Sequence, residues 1–200
     1  MLFHYRFEYF KGGFLGVDIF FVISGYLMSL LLDEKINYKI ILKFYLKRLK
    51  RLLPALIFVL FISLLLGFLL MSDVSFARLG KTTISSIFFT SNIYFWREWS
   101  YFDISSLNKP LLHTWSLSLE MQFYLLFPIF LVSIKFLKKQ INIIYKLLFI
   151  TILLIFLTEL VINEKKVATF YLLPFRFSEF LIGSIGYYYQ KNYRTLKLNN

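Results

Sequence analysis

The sequence predicts an all-α fold, a polytopic integral membrane helical bundle with five to six full spans plus a segment that either crosses or is re-entrant. Three observations carry this expectation. Of 200 residues, 58% are hydrophobic and 21% aromatic, and the mean hydropathy is +0.67, well above the apolar share of ordinary soluble domains. Several runs reach the roughly 20 apolar residues that a spanning helix needs. The basic residues gather between those runs rather than on a soluble domain.

The formal charge of +12, from 23 Lys and Arg against 11 Asp and Glu, therefore reads as orientation signal and contact with lipid phosphate, not as a nucleic-acid surface. There are no cysteines, which excludes a disulfide framework, a thiolate nucleophile and a cysteine zinc cluster.

Taken in order, "MLFHYRFEYF" lacks the unbroken apolar core of a signal peptide and resembles the tail of a helix. The run "FKGGFLGVDIFFVISGYLMSLLL", Phe10 to Leu32, supplies a first span at 14–32 with one carboxylate, Asp18, near its start. Residues 33–51 hold Lys35, Lys39, Lys43, Lys47, Arg48, Lys50 and Arg51, and the positive-inside rule puts this segment in the cytoplasm and residues 1–13 at the outer face. Further spans are expected at 52–71, 115–134, 146–162 and 170–190. The segment 82–96, "TTISSIFFTSNIYFW", is short and rich in Ser, Thr and Asn. A re-entrant path for it keeps the second basic connection, with Lys135, Lys138, Lys139 and Lys146, and the tail with Lys191, Arg194 and Lys197 on the cytoplasmic side. No repeat, low-complexity tract or soluble domain interrupts residues 1–200.

An ionisable side chain inside a span costs about 2.5–3.5 kcal/mol on insertion scales and marks a functional site by default. Those in the expected spans are Asp18, Glu120, Glu159, Arg176 and Glu179, with His4 and His113 at span edges. In "PLLHTWSLSLEMQFYLLFPIF", Pro110 to Phe130, His113, Ser116 and Glu120 share one helix face, either a polar face satisfied within the bundle or part of a site. In "FYLKRLKRLLPAL", Phe44 to Leu56, the basic cluster is either a lipid anchor or a clamp for the phosphates of a donor. Arg176 and Glu179 are spaced for an ion pair within one helix. Histidine as a residue type changes charge near neutral pH, so His4 is a candidate general base at the outer face.

Four segments together, "FLGVDIFFVISGYL", "FYLKRLKRLLPAL", "PLLHTWSLSLEMQFYLLFP" and "FYLLPFRFSEFLIG", resemble the membrane acyltransferase 3 family, over almost the whole chain. The resemblance implies an O-acyltransferase of the bacterial cytoplasmic (inner) membrane. It implies an acyl-CoA donor, usually acetyl-CoA, no metal, and as acceptor a hydroxyl of a cell-surface carbohydrate or glycolipid such as lipopolysaccharide O-antigen, exopolysaccharide or another glycan. By the same resemblance His4, Asp18 and Glu120 are catalytic, and Lys47, Arg48, Lys50 and Arg51 hold the donor phosphates. His113, Ser116, Arg176 and Glu179 are substrate-binding or structural polar residues. The basic residue that precedes the histidine in the family would fall before Met1, and further helices are expected after residue 190, so a partial acyltransferase domain is expected. A transporter-like protein and an inactive remnant are the rival readings.

Overall fold

The computed structural model describes residues 15–32, 38–98, 109–136 and 141–198, and all regular structure in them is helical. The elements are α1 (Leu15–Leu32), α2 (Tyr38–Leu70), α3 (Asp73–Ile87), α4 (Ser91–Glu98), α5 (Thr114–Phe136), α6 (Ile143–Ile162), α7 (Lys166–Tyr171) and α8 (Leu173–Leu198). His4 and Lys35 lie outside the described residues.

Among the described residues, four helices are long and apolar enough to cross a membrane: α1, the 41–70 part of α2, the 114–135 part of α5, and α6. Their lipid-type surface is plain in α6, where Phe149, Ile152, Phe156 and Leu160 are all exposed. The chain is thus a multi-pass membrane protein.

Three expectations change in detail. The basic stretch before the second span is not a connecting loop. It forms the first turns of α2, a 33-residue helix about 50 Å long, so its charges keep a fixed helical spacing. Pro54 lies inside this helix, and because it has no N–H it leaves the Lys50 carbonyl four residues back without its usual partner.

The expected span at 170–190 is divided at Leu172, which adopts extended backbone (φ −96°, ψ 136°) between α7 and α8. Pro174 then falls in the first turn of α8, where a missing N–H costs nothing. With 26 residues α8 is long enough to span, and Arg176, Glu179 and a run of tyrosines lower its hydropathy.

The segment 82–96 is also not one helix. It breaks at 88–90, where Phe89 takes a left-handed φ of 53°, a conformation that costs a non-glycine residue roughly 1–2 kcal/mol. Met71 and Ser75 on the way in, and Glu98, Lys109 and Pro110 on the way out, line one common recess. The break itself is anchored inside the bundle, where Gln122 of α5 donates to the Phe89 carbonyl (3.0 Å). Residues 73–98 therefore form a helical hairpin whose two ends lie together, the geometry expected of a re-entrant path.

The bundle's tightest contact is between α1 and α8, which run parallel. A Cβ on Gly25 would stand 1.8 Å from the Phe180 carbonyl oxygen, and one on Gly183 would stand 1.8 Å from the Val22 carbonyl oxygen. Small residues at such crossings let two backbones approach, which drives helix association where lipid removes the hydrophobic term. Beside this crossing, Phe21, Phe180 and Phe123 form a stacked column with centroids 4.5 and 4.0 Å apart, joining α1, α8 and α5.

Candidate functional site

Helix α1 serves as a ruler for the polar groups. Asp18 near its start meets Arg176 of α8, Ser24 in its middle meets Glu120 of α5, and Leu31 at its end lines a cleft with the basic turns of α2. Thirteen residues separate Asp18 from Leu31, about 20 Å along the axis. Three polar centres thus lie in a row, with Glu120 near the midpoint.

The first centre is a cleft of about 290 Å³ lined by Leu31, Lys43, Phe44, Lys47, Arg48 and Arg51. Of the four expected donor-binding residues, Lys47, Arg48 and Arg51 meet there, and Lys43 joins them. Lys50 does not line the cleft. Residues 43, 47 and 51 repeat every four residues on one face, with 44 and 48 on the side turned to the bundle, and Lys50 stands at the opposite, exposed edge of that stripe.

Arg48 is the innermost of these cations. Its guanidinium stacks over the Tyr124 ring at 4.8 Å and over Phe44 at 5.5 Å. This cation–π seat holds its plane and leaves its donors for an anion.

Tyr124 carries the second centre. Its hydroxyl donates to Glu120 Oε1 and lies 3.3 Å from Ser24 Oγ, while Ser24 donates to the same carboxylate oxygen at 2.9 Å. Glu120 is only 3% exposed. Among the described residues its partners are hydroxyls rather than a cation, and Arg48 reaches it through the Tyr124 ring. Tyr45 of α2 fixes the same place by donating to the Tyr124 carbonyl at 3.0 Å.

The third centre is at the opposite end. Arg176 donates to Glu179 Oε1 at 2.6 Å, to Asp18 Oδ1 at 3.2 Å and, through Nε, to the Phe170 carbonyl at 3.2 Å, with its guanidinium 4.9 Å from the Phe170 ring. The within-helix pair expected from spacing is present, and Asp18 is bound into it from α1.

The face shared by His113, Ser116 and Glu120 is not assembled as a unit. His113 is exposed in the turn before α5. Ser116 donates back to the His113 carbonyl at 3.1 Å, and Glu120 is turned inward to α1.

Sequence reasoning missed Ser24 and Tyr124, although a hydroxyl one turn after a buried acid was a usable signal. It also missed a hydroxyl ladder between the 73–98 hairpin and α5. There Ser86, Thr114, Ser91 and Ser118 are linked at 2.9, 3.0 and 2.7 Å. Asn92 and Gln122 exchange bonds of 3.3 and 2.8 Å next to it. The Ser and Thr content of 82–96 was its signal, but the partners on α5 are set by packing. Among the described residues no group of three or more His, Cys, Asp or Glu could hold a metal ion.

Comparison with known proteins adds the family. A sequence profile described as an acyltransferase domain, Acyl_transf_3, matches residues 2–200. The chain is 40% identical over 142 residues to the peptidoglycan O-acetyltransferase OatA of Listeria monocytogenes, covering 68% of this chain and 23% of the relative. It is 38% identical over 157 residues to the O-acetyltransferase OatA of Staphylococcus aureus (strain NCTC 8325 / PS 47), covering 76% of this chain and 26% of the relative. The chain thus spans about a quarter of the length of these relatives. No solved structure matches.

Proposed function

The chain belongs to the membrane acyltransferase 3 family, and from that premise we propose that it carries the acyl-transfer core of a membrane O-acetyltransferase. The donor is an acyl-CoA approaching from the cytoplasm and the acceptor is a hydroxyl of a cell-surface glycan. The name of the Listeria relative turns the glycan reading toward peptidoglycan. In the reaction the acceptor oxygen forms an ester bond to the acyl carbon, the carbon–sulfur bond of the thioester breaks, and the hydroxyl proton ends on the released thiol.

The observation that carries this reading is the position of Arg48. It belongs at once to the basic cleft and, through Tyr124, to the buried Glu120 centre. A lipid anchor has no use for a guanidinium stacked into the bundle beside a buried carboxylate. A donor site does, because phosphate groups held by Lys43, Lys47, Arg48 and Arg51 would leave the acyl end directed to the interior. Glu120 and Ser24 then supply the polar lining that lets a reacting group exist inside an apolar bundle. His4 has the role of base for the acceptor hydroxyl, and Asp18 lies at the matching end of α1.

Donor affinity tests this directly. Arg48→Ala and Arg51→Ala are each expected to weaken acetyl-CoA binding by about 1.5–3 kcal/mol, the range for a hydrogen bond to a charged group. Lys50→Ala, off the cleft, should have a smaller effect. An unchanged apparent affinity in the two arginine variants leaves only a lipid-anchor role, and binding without any acetyl transfer to glycan sinks the enzyme reading.

A further inference from the structure

Beyond the donor end, α6, α7 and α8 enclose a recess of about 360 Å³ next to the Arg176 centre. Its polar lining includes Glu159, Lys166, Thr169, Arg176, Ser178 and Glu179. Two features single it out. The lining holds two carboxylates and two cations together with hydroxyls, so it suits a neutral ligand that can both donate and accept hydrogen bonds. In addition, Arg176 engages only one oxygen of Glu179, and the other, Oε2, is buried with no hydrogen-bond partner. Buried polar atoms left in that state are rare and ask for a reason. A carboxylate oxygen accepts strongly and cannot donate, so the partner it lacks is an O–H or N–H group.

We propose that this recess is a sugar-hydroxyl subsite, in which a small shift of the Glu179 side chain uncovers Oε2 to accept a hydroxyl of a neutral pyranose ring and Glu159 contacts the ring from the rim. The inference rests on the glycan-acyltransferase reading and deepens it by naming where the acceptor sits. Three facts favour it. The volume falls within the roughly 300–1,000 Å³ of small-ligand sites that combine apolar walls with a few placed polar groups. Asp18 ties the recess to the end of α1 opposite the basic cleft, where an acceptor would have to be if the donor enters at the other. The Arg176 clamp, held by Asp18, the Phe170 carbonyl and the Phe170 ring as well as by Glu179, keeps the Glu179 carboxylate in place without occupying Oε2.

The test uses the chain in lipid nanodiscs and chitotetraose, an N-acetylglucosamine tetrasaccharide, as the probe, with calorimetric titration as readout. Glu179→Gln keeps shape and volume but replaces a charge-assisted acceptor by a neutral one. It is expected to weaken chitotetraose binding about tenfold while leaving acetyl-CoA binding unchanged. Glu159→Gln, exposed on α6 and outside the Arg176 clamp, is a second variant free of folding effects and should weaken sugar binding several-fold. Equal affinity in the unsubstituted chain and both variants overturns the subsite, as does no sugar binding by the unsubstituted chain. Sugar binding that depends on Glu179 in a chain that transfers no acetyl group upholds the subsite and sinks the transferase reading. Acetyl transfer with sugar binding indifferent to Glu179 does the reverse.

Discussion

At the residue scale, the chemistry turns on which polar side chains meet inside an apolar bundle. Glu120 accepts two hydroxyl hydrogen bonds in a place that is nearly solvent-free. Removing it leaves the buried Ser24 hydroxyl without this acceptor and Tyr124 with only its long contact to Ser24 Oγ (3.3 Å), at about 1–3 kcal/mol for a buried group left unsatisfied. Glu120→Ala is therefore expected to lower the melting temperature in detergent and abolish transfer, whereas Glu120→Gln keeps an acceptor oxygen and most of the stability. Equal melting curves for Glu120→Ala and the unsubstituted chain would show that the carboxylate is not the organiser of this centre. The two histidines divide in the same way. His4, proposed as the base, should cost 10²- to 10⁴-fold in rate when changed to Ala, with membrane insertion intact. His113 is exposed in a turn and its carbonyl, not its imidazole, receives Ser116, so His113→Ala should retain most activity. Near-complete loss in His113→Ala with survival in His4→Ala would reverse the assignment.

At the scale of elements, the α1–α8 crossing is the joint on which one end and the middle of the polar row depend. It brings Asp18 to Arg176 and sets Ser24 toward α5. Alanine at Gly25 or Gly183 would drive a methyl group into a neighbouring backbone carbonyl, and backbone cannot yield as a side-chain tip can. Overpacking typically costs about 1–3 kcal/mol, and here it must also separate the helices. Thermal unfolding should fall markedly for Gly183→Ala. Gly186→Ala on the same helix is the control, because a Cβ there meets nothing within 4 Å and alanine favours helix by up to about 1 kcal/mol. Identical melting of the two variants would mean that the helices do not pack this closely.

At the scale of the whole molecule, the row of centres makes sense only with a defined orientation across the membrane. The absence of native cysteine allows single cysteines to report it cleanly. Ser72→Cys, Lys109→Cys and Asn163→Cys should react with an impermeant maleimide in intact cells, because both ends of the re-entrant hairpin and the α6–α7 turn are expected on the outer side. Lys50→Cys should react only after the membrane is permeabilised. Labelling of Ser72→Cys with protection of Lys109→Cys would turn the hairpin into a full crossing and invert every helix after it.

Much of this was legible in the sequence for physical reasons that act locally. Burying a spanning helix in lipid demands an unbroken apolar run, so the ends of α1, α5 and α6 were found to within three residues, and the cost of intramembrane charge singled out Asp18, Glu120, Glu159, Arg176 and Glu179. The Arg176–Glu179 pair needed only helical spacing. What the sequence could not supply was any pairing between distant elements, because a local pattern says which face a residue is on and not what stands opposite. Tertiary packing decided that Glu120 meets Ser24 and Tyr124, that Arg48 rather than Lys50 faces inward, and that Asp18 joins Arg176. It also decided that 73–98 turns back on itself. There the polar side chains of α3 and α4 find their partners on α5, and in an apolar surrounding an unsatisfied hydrogen-bonding group costs more than a bend in the chain.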